Sequence, residues 1–448
     1  MTGFAQSTDT AVLSERDFLQ QVLEYAPKVE ASRTKAAIQE QKWSEARAAF
    51  EPKFNSTYNS KNFEGTSYYD RLSTDLTVKT KLGVKVQAGY DRNSGTYLNP
   101  EGNLPEAGLV FAGLEVPLGA GLFTDKERTR LKQSRISADA AELVNQLEVN
   151  EYLVEAGRAY WNWYGSMEMF RLADEALTLA QDRLTFVKRM RTIGEAATID
   201  TLEAFINYQN RLAFFIKSQI DVFKHASYLR NYIWDSTIDT NLVPMIDSTY
   251  EVQFPDSMIT REMVRYHPMI LLLDADSTII QTDIALNREY FKPKLDVQFR
   301  VQETPGSVAS FDYDVARNNY VGVKAHMPIL LRKQRSKSRQ LELEQDIIQN
   351  KRSDLTVKIV NNQRVALNSA NQYKSSVDLW RDATINYKTM SEAEYTRYNL
   401  GESSLFVVNN RELRWIDARK KYIESVVRYR IEILQFYYSL GQLPDVVQ

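Results

Sequence analysis

Cysteine is absent from this chain, which excludes disulfides, thiolate metal centres and cysteine-linked lipids from the residues given. Histidine is scarce: His225, His267 and His326 lie far apart without ligand spacing, so no metal and no other cofactor is expected. No stretch approaches the ~18 consecutive apolar residues of a membrane-crossing helix; the strongest run is Met269-Ile270-Leu271-Leu272-Leu273. Helical insertion is thereby excluded, whereas insertion as a barrel is not, because barrel strands carry a weaker signal. The formal net charge of −2 supplies no excess of cations for nucleic acid. No nucleophile–base grouping, phosphate loop or metal cluster can be read, so an enzyme is not expected. Nor is an intact signal peptide; Phe4-Ala5-Gln6 is compatible with the remnant of a cleaved or truncated one.

Proline is the most informative scarcity. None occurs from Leu118 to Val243 or from Ile329 to Leu443, and a proline inside a helix costs about 3 kcal/mol. Each run is broken near its middle by a glycine in a matching context, Arg191-Thr192-Ile193-Gly194-Glu195-Ala196-Ala197 and Tyr398-Asn399-Leu400-Gly401-Glu402-Ser403-Ser404. Each run therefore reads as two long helices folded back at a glycine tip. Coiled-coil spacing supports this: Phe170, Ala173, Leu177, Ala180, Leu184 and Val187 make one seam. Ala366, Ala370, Tyr373, Val377, Trp380, Thr384 and Tyr387 make another.

The landmarks also occur twice. Tyr25-Ala26-Pro27 and Phe50-Glu51-Pro52-Lys53 return, at one common offset, as Tyr266-His267-Pro268 and Phe291-Lys292-Pro293-Lys294. Gly113-Leu114-Glu115-Val116-Pro117 has its counterpart in Gly322-Val323-Lys324-Ala325-His326-Met327-Pro328. The predicted organisation is an internal duplication. The first repeat, 9–250, holds a helix from Ser14 to Phe50 kinked or interrupted at Pro27, about four strands over 53–117, a long helix 126–191 and a return helix 198–234. The second, 251–448, holds a helix 258–291, strands over 294–328, a long helix 332–397 and a return helix 404–438. The irregular segment Thr237–Pro255 links them.

Between the proline landmarks the apolar period changes from 3.6 to 2. Leu295, Val297, Phe299 and Val301 alternate with polar residues, as do Val321, Val323, Ala325 and Met327. Leu72, Thr74, Leu76 and Val78 face one way while Asp75, Thr77 and Lys79 face the other. The candidate strands are 53–61, 72–81, 84–92, 108–117, 294–303 and 319–328. Their lengths suit tilted strands crossing a bilayer, and equally a soluble antiparallel sheet packed on the helices. A basic stretch follows each last strand: Lys126, Arg128, Arg130, Lys132 and Arg135, then Arg332, Lys333, Arg335, Lys337 and Arg339. Cations oppose the dipole at a helix N-terminus. These suit phospholipid headgroups at a bilayer edge or a plain solvated face.

At about 1.5 Å per residue, a helix over 126–191 is about 100 Å long, too long for a globular domain of this mass. Each long helix needs two shorter ones laid end to end beside it. The expected fold class is mixed α and β: internally duplicated long α-helical coiled-coil hairpins, plus antiparallel strands that either form a soluble sheet or contribute to a transmembrane β-barrel. A few strands with open edges do not persist in lipid, so a membrane reading requires several copies around an axis.

In the order and spacing of these features the chain resembles the TolC-like outer membrane efflux protein (outer membrane factor) family, over nearly all of 10–445. The matching features are the duplication, the proline-ended strand before a long helix, the tip Tyr398-x-x-Gly401 and the ending Leu440-Gly441-Gln442-Leu443. The resemblance implies a homotrimer with one barrel in outer-membrane lipid and a periplasmic helical tunnel, the two repeats forming one barrel-plus-tunnel unit. It implies a passive duct, without enzymatic activity, for small molecules (drugs, metals or metabolites). The duct docks to a periplasmic adaptor (membrane fusion) protein and serves an inner-membrane transporter. Type I protein secretion is the alternative within this class, and a periplasmic coiled-coil scaffold the alternative from another. By the same resemblance Asp200, Glu203, Arg397 and Tyr398 form the gate. Ile193, Gly194, Glu195, Leu400, Gly401 and Glu402 form the adaptor-docking tips.

The chain departs from the family in two places. Val407 and Asn410 stand where some members carry an acidic, cation-selecting ring, with Asp200 and Glu203 available in its stead. The hairpin over 72–92 is extra, so six strands per copy would make an eighteen-stranded barrel where the family usually shows twelve.

Overall fold

The computed structural model describes residues 12–234, 243–245, 263–310 and 314–444. In chain order they form β1 (Val12–Ser14), α1 (Glu15–Tyr25), α2 (Pro27–Arg47), β2 (Lys53–Phe63), β3 (Thr66–Lys79), β4 (Lys85–Ser94), β5 (Leu109–Pro117) and α3 (Lys126–Thr192). After these come α4 (Thr198–Arg230), β6 (Val243–Met245), α5 (Pro268–Glu289), β7 (Lys294–Glu303), α6 (Pro305–Ser310), β8 (Asn319–His326), α7 (Arg332–Asn399) and α8 (Leu405–Leu440). They belong to two compact units. One comprises Met1–Thr34, Leu143–Ile270 and Asp354–Gln448, the other Lys35–Glu142 and Leu271–Ser353.

The second unit carries a six-stranded sheet in the order β2-β3-β4-β5-β7-β8, antiparallel throughout. β2 and β3 join through Glu64 and Gly65, both at positive φ (51° and 73°), the two-residue turn whose twist matches a hairpin. β3 therefore starts at Thr66, ahead of the position 72 that alternation indicates. Tyr69, Asp70 and Arg71 do not alternate, yet each pairs with β2, and Tyr68 sits at the register shift between Lys61 and Asn62.

The cross-strand register sorts the side chains. Phe54, Leu76, Ala88, Ala112 and Val301 stand in one row, and Val78, Val86, Leu114, Phe299 and Val321 in another. On the opposite face Lys53, Thr77, Gln87, Gly113, Arg300 and Tyr320 form a row. There Lys85 pairs with Glu115 at 2.6 Å, and Asn55 and Ser73 donate to Asp75 and Asp91 at 2.9 and 2.6 Å. Of the residues in these six strands only Phe111 and Glu303 are buried. A sheet packed on helices buries one face. This one does not.

In the first unit Ser14 caps α1, its Oγ accepting from the Asp17 N–H at 3.1 Å. Of the kink or interruption expected at Pro27 within 14–50, the interruption is found: α1 ends at Ala26 and Pro27 opens α2. Proline fits a first helical turn, where no N–H is required. The same chemistry starts α5 at Pro268 rather than 258; residues 258–262, like most of the Thr237–Pro255 link, lie outside the described residues. Phe18, Val22 and Val29 join Leu153, Tyr160, Trp161 and Leu434 in the main core. Further along, Leu172 and Ala176 of α3 pack with Trp415, Ile416 and Ile423 of α8.

One apolar stripe has no cover among the described residues. Ile199, Leu202, Ile206, Ile216, Ile220 and Phe223 recur at helical spacing along α4, and all are exposed. Among the described residues no helix is long and apolar enough to cross a membrane.

Candidate gate at the helical tips

Both tips are closed by one hydrogen-bond pattern. At the first, Glu195 N donates to Met190 O at 2.9 Å and Gly194 N to Arg191 O at 3.1 Å. At the second, Glu402 N donates to Arg397 O at 2.9 Å and Gly401 N to Tyr398 O at 3.0 Å. These are Schellman ends, which require a left-handed residue; Gly194 and Gly401 supply it at φ 84° and 76°. Nothing lies within 4 Å of where their Cβ atoms would be, so backbone conformation alone selects glycine. Ile193, Glu195, Leu400 and Glu402 are exposed around them.

The two tips meet in space. Leu184 and Val187 of α3, Ala204 of α4 and Leu405 of α8 form a small core with Tyr398 against it. The Tyr398 ring lies edge-on to Phe186, their centroids 6.4 Å apart. Burial raises the Tyr398 pKa above the ordinary tyrosine value, and the nearby Asp200 carboxylate raises it further. Asp200 itself accepts from Ala197 N at 3.0 Å, capping α4. Glu203 accepts from Asn409 Nδ2 at 2.9 Å. Arg397 points elsewhere, lying 3.7 Å from Glu394 and 3.9 Å from Glu402 of its own tip. Within one chain the four expected gate residues thus make no single cluster. Val407 is half-buried and Asn410 exposed.

Pattern reading missed the strongest polar feature near the tips. Glu412 of α8, 1% exposed, lies 2.6 Å from Arg183 of α3 and 3.5 Å from Arg211 of α4. Arg183 also donates to Asn409 Oδ1 at 3.0 Å, and Asn207 to the same oxygen at 2.8 Å. Burial lowers the Arg211 pKa, Glu412 opposes that shift, and Arg183 adds to it. A signal existed. Leu405, Val408, Glu412 and Trp415 step by 3 and 4, so a carboxylate occupies a seam position.

No protein-family model matches the chain, and no curated protein matches it. Solved structures do match, and the fold they define is that of outer membrane channels. The Campylobacter jejuni CmeC outer membrane channel superposes with a TM-score of 0.69 at 12% identity, over 98% of this chain and 90% of that one. The Neisseria gonorrhoeae MtrE outer membrane channel in its open state gives 0.70 at 12%, over 95% and 88%. CusC, studied for transmembrane channel formation, gives 0.71 at 12%, over 98% and 95%.

Proposed function

We propose that this chain is one protomer of a homotrimeric outer-membrane channel, the passive duct of a tripartite export system for small molecules. The observation that carries the reading is the sheet. Its apolar face is bare, its opposite face is polar and internally bonded, and it ends in β2 and β8, whose outer edges have no partner among the described residues. Lipid accepts the bare face but not the open edges, whose backbone groups need partners. With six strands alternating in direction, β8 runs antiparallel to β2. Copies arranged around an axis therefore join edge to edge without changing the pairing sense, and three copies make eighteen strands. The uncovered stripe on α4 suits a neighbouring copy along the tunnel.

In this reading the periplasmic adaptor docks at the exposed tip residues Ile193, Glu195, Leu400 and Glu402, and energy comes from the inner-membrane transporter. Asp200, Glu203, Arg397 and Tyr398 form the gate through contacts between neighbouring copies. The matched Schellman ends support two repeats, 9–250 and 251–448. Type I protein secretion uses the same architecture and differs only in cargo. A periplasmic scaffold gives no reason for the bare apolar face.

Fractionation and planar-bilayer recording test the proposal together. A duct stays in outer membranes as a trimer resistant to heat and detergent, and conducts. A scaffold that washes off and passes no current would overturn the proposal.

A further inference from the structure

A cation-lined cavity in the sheet-bearing unit plays no part in the gate. Trp43 and Arg47 of α2, Lys132 and Arg135 of α3, and Lys81 of the β3–β4 turn surround about 660 Å³, with Leu131 as apolar wall. No carboxylate among the described residues lines it. The Arg135 and Arg47 guanidinium carbons sit 4.5 and 5.4 Å from the centre of the Trp43 ring, within cation–π range. Among the described residues Arg135 has one ionic partner, Asp139 of its own helix at 3.0 Å, exposed like itself. Arg47, Lys81 and Lys132 have no carboxylate at ion-pair distance among the described residues. Arg128 beside them is differently placed, held by Asp125 at 3.0 Å and by the Leu122 carbonyl at 3.1 Å.

Three features specify the anion. Among the described residues the cations converge on one space that no carboxylate lines, and of them only Arg128 and Arg135 have an ionic partner, outside it, so the ligand is negative. Trp43 and Leu131 offer it an apolar flank, and Leu82, 80% exposed, projects from the same β3–β4 turn as Lys81. Lys79, Lys85, Glu115 and Lys294, from the polar face of the sheet, line a different cavity, in which Asp125, Glu127 and Asp296 supply counter-charge. Aromatic rings and basic side chains together are the composition of a membrane–water boundary.

We propose that this cavity binds the phosphodiester of an anionic phospholipid at the helical end of the barrel, with the glycerol and first acyl carbons against Trp43 and Leu131. The proposal rests on the outer-membrane reading above. Native mass spectrometry of the full chain in detergent tests it, with dioleoyl phosphatidylglycerol, dioleoyl phosphatidylethanolamine and inorganic phosphate as separate probes. Phosphatidylglycerol is expected to bind once per chain and more tightly than phosphatidylethanolamine, whose ammonium the cations repel. The variant R47Q/K132Q/R135Q should weaken it by about two orders of magnitude, and Lys132→Gln alone by less, with circular dichroism unchanged. Equal binding of the two lipids, retention by the triple variant, or displacement by equimolar inorganic phosphate would each overturn the site. Conductance in the same preparations separates the two ideas: current without selective lipid binding sinks only the lipid site, and lipid binding without current sinks only the duct.

Discussion

Glu412 and Arg183 meet at 2.6 Å, 1% and 7% exposed respectively, and Arg211 reaches the same carboxylate at 3.5 Å. The site holds two cations and one anion, so removing the anion leaves two buried like charges. Breaking such a pair from one side typically costs about 3–5 kcal/mol, whereas apolar replacement of the whole group is close to neutral. Glu412→Ala is therefore expected to destabilise strongly, and the triple variant R183L/R211M/E412L to recover most of the loss. Thermal unfolding of the three proteins measures this. A Glu412→Ala midpoint equal to the parent's would contradict the electrostatic account.

Asp200 has two tasks in the tip region, capping α4 through Ala197 and setting the field at Tyr398. Asp200→Ala is expected to raise single-channel conductance in a planar bilayer if the residue belongs to the gate. Asp200→Asn keeps an acceptor for the cap and loses the charge, so it separates the tasks. Unchanged conductance in both would remove Asp200 from the gate.

The long hairpins were legible because their signals are steric. Proline is excluded from helix interiors and Gly194 and Gly401 are required at left-handed ends. Alternation marked β3, β7 and β8, since a register slip would invert both faces. It failed over Tyr68–Arg71, where hairpin pairing rather than burial extends β3. It also passed over Arg183 and Glu412, because a seam template counts apolar residues and a paired charge occupies the same place. The Trp43 cavity escaped detection for another reason. Its cations come from three elements far apart in sequence, and only the basic stretch from Lys126 to Arg135 was visible as a run.

The two tip glycines make a matched pair of tests. An L-residue in left-handed backbone costs about 1–2 kcal/mol, and neither site offers a contact to offset that. Gly194→Ala and Gly401→Ala are each expected to destabilise by about 1 kcal/mol, with an additive double variant. Chemical denaturation reads the values. An effect at only one tip would show that the two turns are not equivalent.

His267 gives the fold an acid limit. It is buried beside Pro268, its Nδ1 accepting from Met269 N at 3.2 Å, and burial lowers its pKa despite an opposing bond to the Ser439 backbone. A folded pKa below the unfolded value of about 6.5 means the unfolded chain takes up the proton first. Stability is then complete above about pH 6.5 and declines as pH falls below it. His225 shifts in the same direction, but it is only half-buried. Lowering pH from 7 to 5 should reduce the parent's melting temperature more than that of His267→Gln. Parallel pH profiles would exclude His267 as the source.

The absence of cysteine makes the strand count directly testable. In β4, Val86 stands in the apolar row with Leu114 and Phe299, while its neighbour Gln87 stands on the polar face opposite Gly113. If the β3–β4 hairpin belongs to the barrel, a thiol at Val86→Cys faces lipid and one at Gln87→Cys faces the lumen. A membrane-impermeant hydrophilic maleimide should then label Gln87→Cys in outer membranes and spare Val86→Cys, and a lipophilic maleimide should do the reverse. Leu114→Cys and Glu115→Cys in β5 provide the matching pair on a strand outside the extra hairpin, Glu115 standing on the polar face opposite Lys85. Equal hydrophilic labelling at 86 and 87, with alternation kept at 114 and 115, would put the hairpin outside the bilayer and leave four membrane strands per copy. Alternation at both pairs requires six, because β4 cannot face lipid on one side and water on the other unless β3 closes its far edge and β2 closes that of β3.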